Sequence, residues 1–139
     1  MKKVIFFLTI LILASCSTKT GPIDGGSTVI VPKDVEIILS TTQPENDEIV
    51  ISYYDFGLRQ WVSGPRQFTY DVNGNPEPYI ISLPAYAYRR IEGETYRNNS
   101  LPSELKVEIY IDGVLVFDKR SYGTDASYAS VNFNYTILD

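Results

Sequence analysis

Leu105-Lys106-Val107-Glu108-Ile109-Tyr110-Ile111-Asp112-Gly113-Val114-Leu115-Val116-Phe117-Asp118-Lys119-Arg120-Ser121 is the stretch that sets the fold class. Two strand-like runs flank Asp112-Gly113, a pair that accepts positive φ at both positions and so closes a two-residue hairpin. The register that follows places Ile111 opposite Val114, Ile109 opposite Val116 and Val107 opposite Asp118. Downstream, Tyr128 to Leu138 alternates Val131, Phe133, Tyr135 and Ile137 with Asn132, Asn134 and Thr136, which calls for one buried side.

Upstream, turn-forming residues recur at short intervals. Val35 to Ser40 reads as a strand, then residues 43–47 as a turn. Glu48 to Asp55 follows, with Ile49, Ile51 and Tyr53 on one face. Leu58 to Val62 continues it, and Ser63-Gly64-Pro65 closes that piece. Arg66 to Val72 alternates Phe68 and Tyr70 against polar neighbours before Asn73-Gly74-Asn75-Pro76 turns the chain. Tyr79 to Leu83 is another strand, stopped by Pro84, which has no N–H for a ladder. Ala85 to Ser100 is irregular, part strand or short helix and part loop. Elsewhere helical periodicity is lacking. About seven antiparallel strands without covering helices predict an all-β domain, a single antiparallel β-sandwich of immunoglobulin-like or transthyretin-like kind.

The beginning of the chain has a different character. Lys2 and Lys3 precede a short apolar run, Val4 to Leu13, and then Leu13-Ala14-Ser15-Cys16. This is the layout of an export signal, and its ending resembles the lipobox of bacterial lipoproteins. That resemblance implies cleavage before Cys16, a diacylglyceryl group on its sulfur and an acylated amine. The run is too short to span a hydrocarbon core, which takes about 20 residues of helix. Several acyl chains hold a protein on a membrane where one does so only marginally. The expected division is a signal at 1–15, a lipidated N-terminus and flexible tether at 16–33 and the sandwich at 34–139. Ser17, Thr18, Lys19 and Thr20 do not resemble the acidic cluster that directs some lipoproteins to the cell exterior. Together with Ser17 beside the cysteine, this predicts the outer membrane, facing the periplasm.

The whole chain has 139 residues, 12 Lys and Arg against 17 Asp and Glu, and no histidine. Removing Lys2 and Lys3 with the signal leaves ten basic side chains against seventeen acidic, a formal charge of −7. Clustered cations, which nucleic-acid binding needs, are absent, so no nucleic acid is expected. The single cysteine serves the anchor and leaves no disulfide to the domain.

Without histidine the commonest general base and zinc ligand are missing. No nucleophile elbow, phosphate loop or dinucleotide fingerprint occurs. Glu92 and Glu94 form a carboxylate pair with a separation near that of inverting glycosidases, but two solvated loop acids read the same way. Asp71, Asn73 and Asn75 place oxygens at alternate positions, as the first half of a calcium loop does. Pro76 stands at the glycine position and Ser82 at that of the closing glutamate, so no metal or other cofactor is expected. The tyrosines are more informative. Tyr86, Tyr88, Arg89, Arg90 and Tyr96 share the irregular segment and join aromatic rings to guanidinium groups, which makes them the candidate binding patch.

Ile49 to Gly57, Ile81 to Pro84, Val107 to Val116 and Ala126 to Val131 resemble, in order, segments of the small mycobacterial membrane protein family, MmpS. The resemblance implies a compact β-sandwich on a membrane anchor that assists a lipid-exporting transporter. Val107 and Phe133 stand where some members carry paired cysteines, and Ala85 where a tryptophan often follows Leu-Pro. The expectation is a non-catalytic binding or accessory module of the bacterial envelope, with the membrane and an envelope protein as partners. An assembly subunit pairing through its last strand, and a carboxylate-based hydrolase, are the alternatives.

Overall fold

The computed structural model describes residues 31–42 and 48–138. The signal, Cys16, most of the tether and the turn at 43–47 lie outside the described residues.

Eight strands form among the described residues, one more than the seven or so expected: β1 (Lys33–Thr41), β2 (Glu48–Asp55), β3 (Gln60–Gln67), β4 (Tyr79–Tyr86), β5 (Arg90–Arg97), β6 (Glu104–Ile111), β7 (Val114–Tyr122) and β8 (Ser130–Thr136). They make two four-stranded antiparallel sheets, sheet 1 in the order β4-β1-β6-β7 and sheet 2 in the order β3-β2-β5-β8. The fold is all-β and a sandwich. β1 and β2 lie in different sheets, unlike the immunoglobulin order, where the first two strands are neighbours.

The core is what alternation demands. Val35, Ile37 and Leu39 of β1 and Leu105, Val107, Ile109 and Ile111 of β6 face Ile49 and Ile51 of β2, Ile91 of β5, and Val131 and Phe133 of β8. These side chains are almost completely removed from water. Each such burial contributes roughly 1.5–3 kcal/mol, and the sandwich has no other large store of stability.

Asp112 and Gly113 take φ of 50° and 78°, as the hairpin reading requires. Ile111 pairs with Val114 as expected, but a bulge between Ile109 and Tyr110 then moves the partners to Ile109 with Phe117 and Val107 with Lys119. An extra residue in one strand re-aims every side chain beyond it. Here it lets Val116 and Phe117 both pack against the core. It also turns Lys119 and Ser121 inward along an edge strand, toward β8. Lys119 Nζ donates to the Asn132 carbonyl at 3.4 Å, and Ser121 Oγ accepts the Ser130 N–H at 3.1 Å. Inward-pointing charge on an edge is a recognised guard against pairing with another chain.

Three further expectations are corrected. Ser63-Gly64-Pro65 does not end a strand but lies inside β3, with Val50 paired to Pro65. Proline is tolerated there because β3 is an edge strand. Residues 68–72 are not a strand. Phe68 plugs the core, Tyr70 bridges Pro76, and the intervening turn is closed by Asp71. The largest correction concerns 85–100, where β5 forms an interior strand of sheet 2 between β2 and β8. Its helical content is nil. Gly93, which argued for a loop, sits in β5 directly under Phe133, where an added Cβ would lie 2.4 Å from that ring and 2.6 Å from the Ser52 carbonyl oxygen. The glycine makes room for a large cross-strand partner.

Candidate functional site

Each sheet has one face on the core and one on solvent, so a site must sit on an outer face, at a sandwich end or along an edge. The outer face of sheet 2 is built by register. Tyr54 pairs with Trp61, Ser52 with both Ser63 and Glu94, Val50 with Tyr96, Glu92 with Asn134, and Glu94 with Asn132. This face holds a trough of about 430 Å³ lined by Trp61 on β3, Glu92, Gly93 and Glu94 on β5, and Asn132, Phe133 and Asn134 on β8. Three strand spacings separate its walls, about 14 Å.

The Trp61 ring is 55% exposed, a large apolar area left in water. Tyr54 meets it edge-on at 5.6 Å. On the opposite side, Arg90 Nε lies 3.0 Å from Glu92 Oε2 and donates to Asn134 Oδ1 at 3.2 Å. The side chains of Glu94 and Asn132, between these anchored groups, make no ion pair or hydrogen bond among the described residues.

A second concavity, of about 220 Å³, opens at the end of the sandwich where β2 and β4 finish, among Tyr53, Asp55, Leu83, Pro84, Tyr86 and Tyr88. Rings connect the two places. Trp61 touches Tyr54, Tyr54 lies 4.7 Å from Phe56, Phe56 stacks on Tyr88 at 5.8 Å, and Tyr88 meets Tyr86 at 5.3 Å. Such contacts contribute about 0.5–1.5 kcal/mol each beyond area, so the strip is held in place before any ligand arrives. Burial pushes the Tyr86 hydroxyl far above its ordinary range, with the Asp55 charge adding to it, and that hydroxyl donates to the Arg90 carbonyl. Burial likewise raises Tyr53, again with help from Asp55.

The five residues of the sequence-derived patch are divided by this geometry. Tyr86 is 8% exposed and belongs to the core, while Tyr88 is 39% exposed at the end cleft. Arg89 is exposed in the β4–β5 connection. Arg90 starts β5 and holds the trough's rim, and Tyr96 lies six residues further along β5, roughly 20 Å away, stacked on Tyr128 at 6.2 Å. The irregular segment therefore contributes to a site without being one.

Glu92 and Glu94 are not loop acids but neighbours on β5, pointing to the same solvent face. Asp71 spends its carboxylate on its own turn. Oδ1 accepts the N–H groups of Asn73 and Asn75, both at 2.8 Å, and Oδ2 accepts Asn75 Nδ2 at 2.9 Å. These bonds, the Asn75 side chain foremost, hold its pKa below the usual carboxylate range. Asp71, Asn73 and Asn75 make an Asx-type turn, and among the described residues no group of three or more His, Cys, Asp or Glu could hold a metal. Cys16 lies outside the described residues. No helix among the described residues is long and apolar enough to cross a membrane.

Trp61, Glu94 and Asn132 form the trough together, and sequence reasoning did not join them. Their separation along the chain hides a neighbourhood that only strand order creates. No family model matches the chain, and no curated protein or solved structure is significantly similar to it.

Proposed function

We propose that the chain is a non-catalytic binding or accessory module of the bacterial envelope, tethered through a lipidated Cys16 to the outer membrane on its periplasmic side. It holds its partner on the outer face of sheet 2. The observation that carries this reading is the trough beside Trp61, where an exposed ring adjoins polar side chains that no neighbour engages. The lipobox-like ending at Cys16 and the segment likeness to a family of anchored accessory sandwiches support the same role. Two facts weigh against the alternatives. The β8 edge, through which an assembly subunit would pair, already meets Lys119 and Ser121 of β7. Glu92, one half of the carboxylate pair, is tied to Arg90, and the trough is too open to exclude water from a reaction.

The test is crosslinking in intact cells followed by identification of what is recovered, with Cys16→Ala as the unanchored control. A specific component recovered with the wild type, and lost or reduced with Cys16→Ala, is the expected result. Equal recovery with both versions, together with an unmodified N-terminus by mass spectrometry, removes the anchor from the reading.

A further inference from the structure

We propose that the trough on the outer face of sheet 2 binds a glycan that is neutral or amine-bearing, with a sugar ring laid on Trp61 and its hydroxyls taken by Glu94 and Asn132. The proposal rests on the reading of this face as the binding surface and names the ligand it fits.

The side chains make the case. A sugar presents two kinds of surface, flat patches of C–H on the ring faces and a girdle of hydroxyls that both donate and accept. Trp61 supplies the first complement, a flat ring 55% exposed and steadied edge-on by Tyr54. Asn132 supplies a donor and an acceptor on one planar amide, and Glu94 supplies two acceptor oxygens. Neither has a side-chain partner among the described residues. Arg90, by contrast, is occupied with Glu92 and Asn134, and so fixes the rim. Trp61 and the Arg90 rim, already held by their neighbours, lose little freedom on binding.

Other ligand classes fit less well. The base of the trough is lined by β5 and β8; β5 is an interior strand, and the outer side of β8 already meets Lys119 and Ser121 of β7. A peptide laid there could add no strand to the sheet, since augmentation needs an edge. Glu94, the trough carboxylate left without a cation once Glu92 is paired with Arg90, in a chain of formal charge −5, repels uronic acids, phosphates and sulfates. Electrostatic complementarity therefore favours uncharged sugars or amino sugars.

Trp61 is the sole tryptophan, so intrinsic fluorescence reports directly on the proposed stacking position. The full-length protein in detergent micelles is titrated with cellohexaose, maltohexaose, chitohexaose and fully deacetylated chitohexaose, with hexagalacturonate as the anionic control, by fluorescence and by calorimetry. The expected result is a saturable spectral shift with one or more of the four and none with hexagalacturonate. By calorimetry, Trp61→Ala lowers that affinity at least tenfold. Glu94→Gln and Asn132→Ala lower it several-fold, and Lys106→Gln on the other sheet leaves it unchanged. Circular dichroism confirms that each variant is folded. Absence of binding to all four sugars, preference for hexagalacturonate, or undiminished binding by folded Trp61→Ala overturns the proposal. In parallel, a photo-crosslinking residue placed at Ser52 is irradiated in cells. A protein captured there when no sugar binds overturns the glycan while sustaining this face as the binding surface. Capture of nothing, with no sugar bound, removes both.

Discussion

The outer faces of the two sheets have the same geometry and opposite chemistry. On sheet 1 the charges close on one another. Lys106 Nζ lies 2.6 Å from Glu108 and 4.0 Å from Asp118, and Arg120 reaches Glu104 at 3.6 Å and Asp118 at 3.8 Å. Tyr122 adds a hydrogen bond of 2.5 Å to Glu104, which raises the pKa of its own hydroxyl above the ordinary tyrosine range. On sheet 2 the corresponding rows hold Trp61, Ser52, Glu94 and Asn132, which do not satisfy one another. A strand's solvent side is not constrained by the core, so its composition reports either local stability or an absent partner. Sheet 1 reports the first, and under the function proposed above sheet 2 reports the second.

The comparison breaks most severely at Gly93, the residue on which the trough's floor depends. Gly93→Ala places a methyl against Phe133 and the Ser52 carbonyl, and the expected loss is about 3 kcal/mol in denaturant unfolding. A fully stable Gly93→Ala variant would show that β5 has room the structure does not give it. Next in size is the seam that joins the sheets. Lys119→Ala with Ser121→Ala removes both contacts to β8, at a cost of about 1–2 kcal/mol, and exposes an edge. Sedimentation that becomes concentration-dependent only in this double variant is the expected sign.

Smaller effects sharpen the contrast directly. Lys106→Met strips Glu108 and Asp118 of their shared cation and should cost about 1 kcal/mol. Glu94→Gln should stay within about 0.5 kcal/mol of wild type, because nothing in the fold uses that carboxylate. Equal losses from the two substitutions would erase the distinction between the faces.

The weakest effect is a dependence on pH near the hairpin turn. Lys33 and the Asp34 N–H hold the pKa of Asp112 below its usual value. A depressed carboxylate stabilises the fold above its unfolded value, near 3.8, and that contribution disappears as pH falls through the folded value. Stability measured from pH 5 to pH 2 should therefore fall less steeply in Asp112→Asn, whose side chain tolerates the same positive φ. Tyr86 acts at the other extreme. Its folded value is raised, so its contribution is whole below about pH 10 and declines as pH rises beyond that.

Particular residues show why the reading of the chain succeeded where it did. Asp112-Gly113 dictates its turn because few residues accept positive φ twice, and the inward set of β8 follows from strict alternation, whereas the two faces of β2 are too alike in sequence to be told apart. Pro65 and Gly93 misled for one reason. Each carries a strong local signal, a missing donor or a missing side chain, whose meaning depends on where the strand sits in the sheet. At an edge the proline is harmless, and beneath Phe133 the glycine is required. The Tyr86 to Tyr96 patch dissolved similarly, since Tyr86 at the end of β4 turns into the core while Arg90 and Tyr96 lie about 20 Å apart along β5.

The sequence by itself determined the all-β class, the hairpin turn and the inward face of the last strand, because backbone sterics and a period of two act locally. Strand order, the bulge that sends Lys119 and Ser121 toward β8, and the meeting of Trp61 with Glu94 and Asn132 were decided only in the tertiary structure. Lateral pairing brings together residues dozens of positions apart, and it is the packing of two whole sheets, not any one segment, that selects which pairs meet.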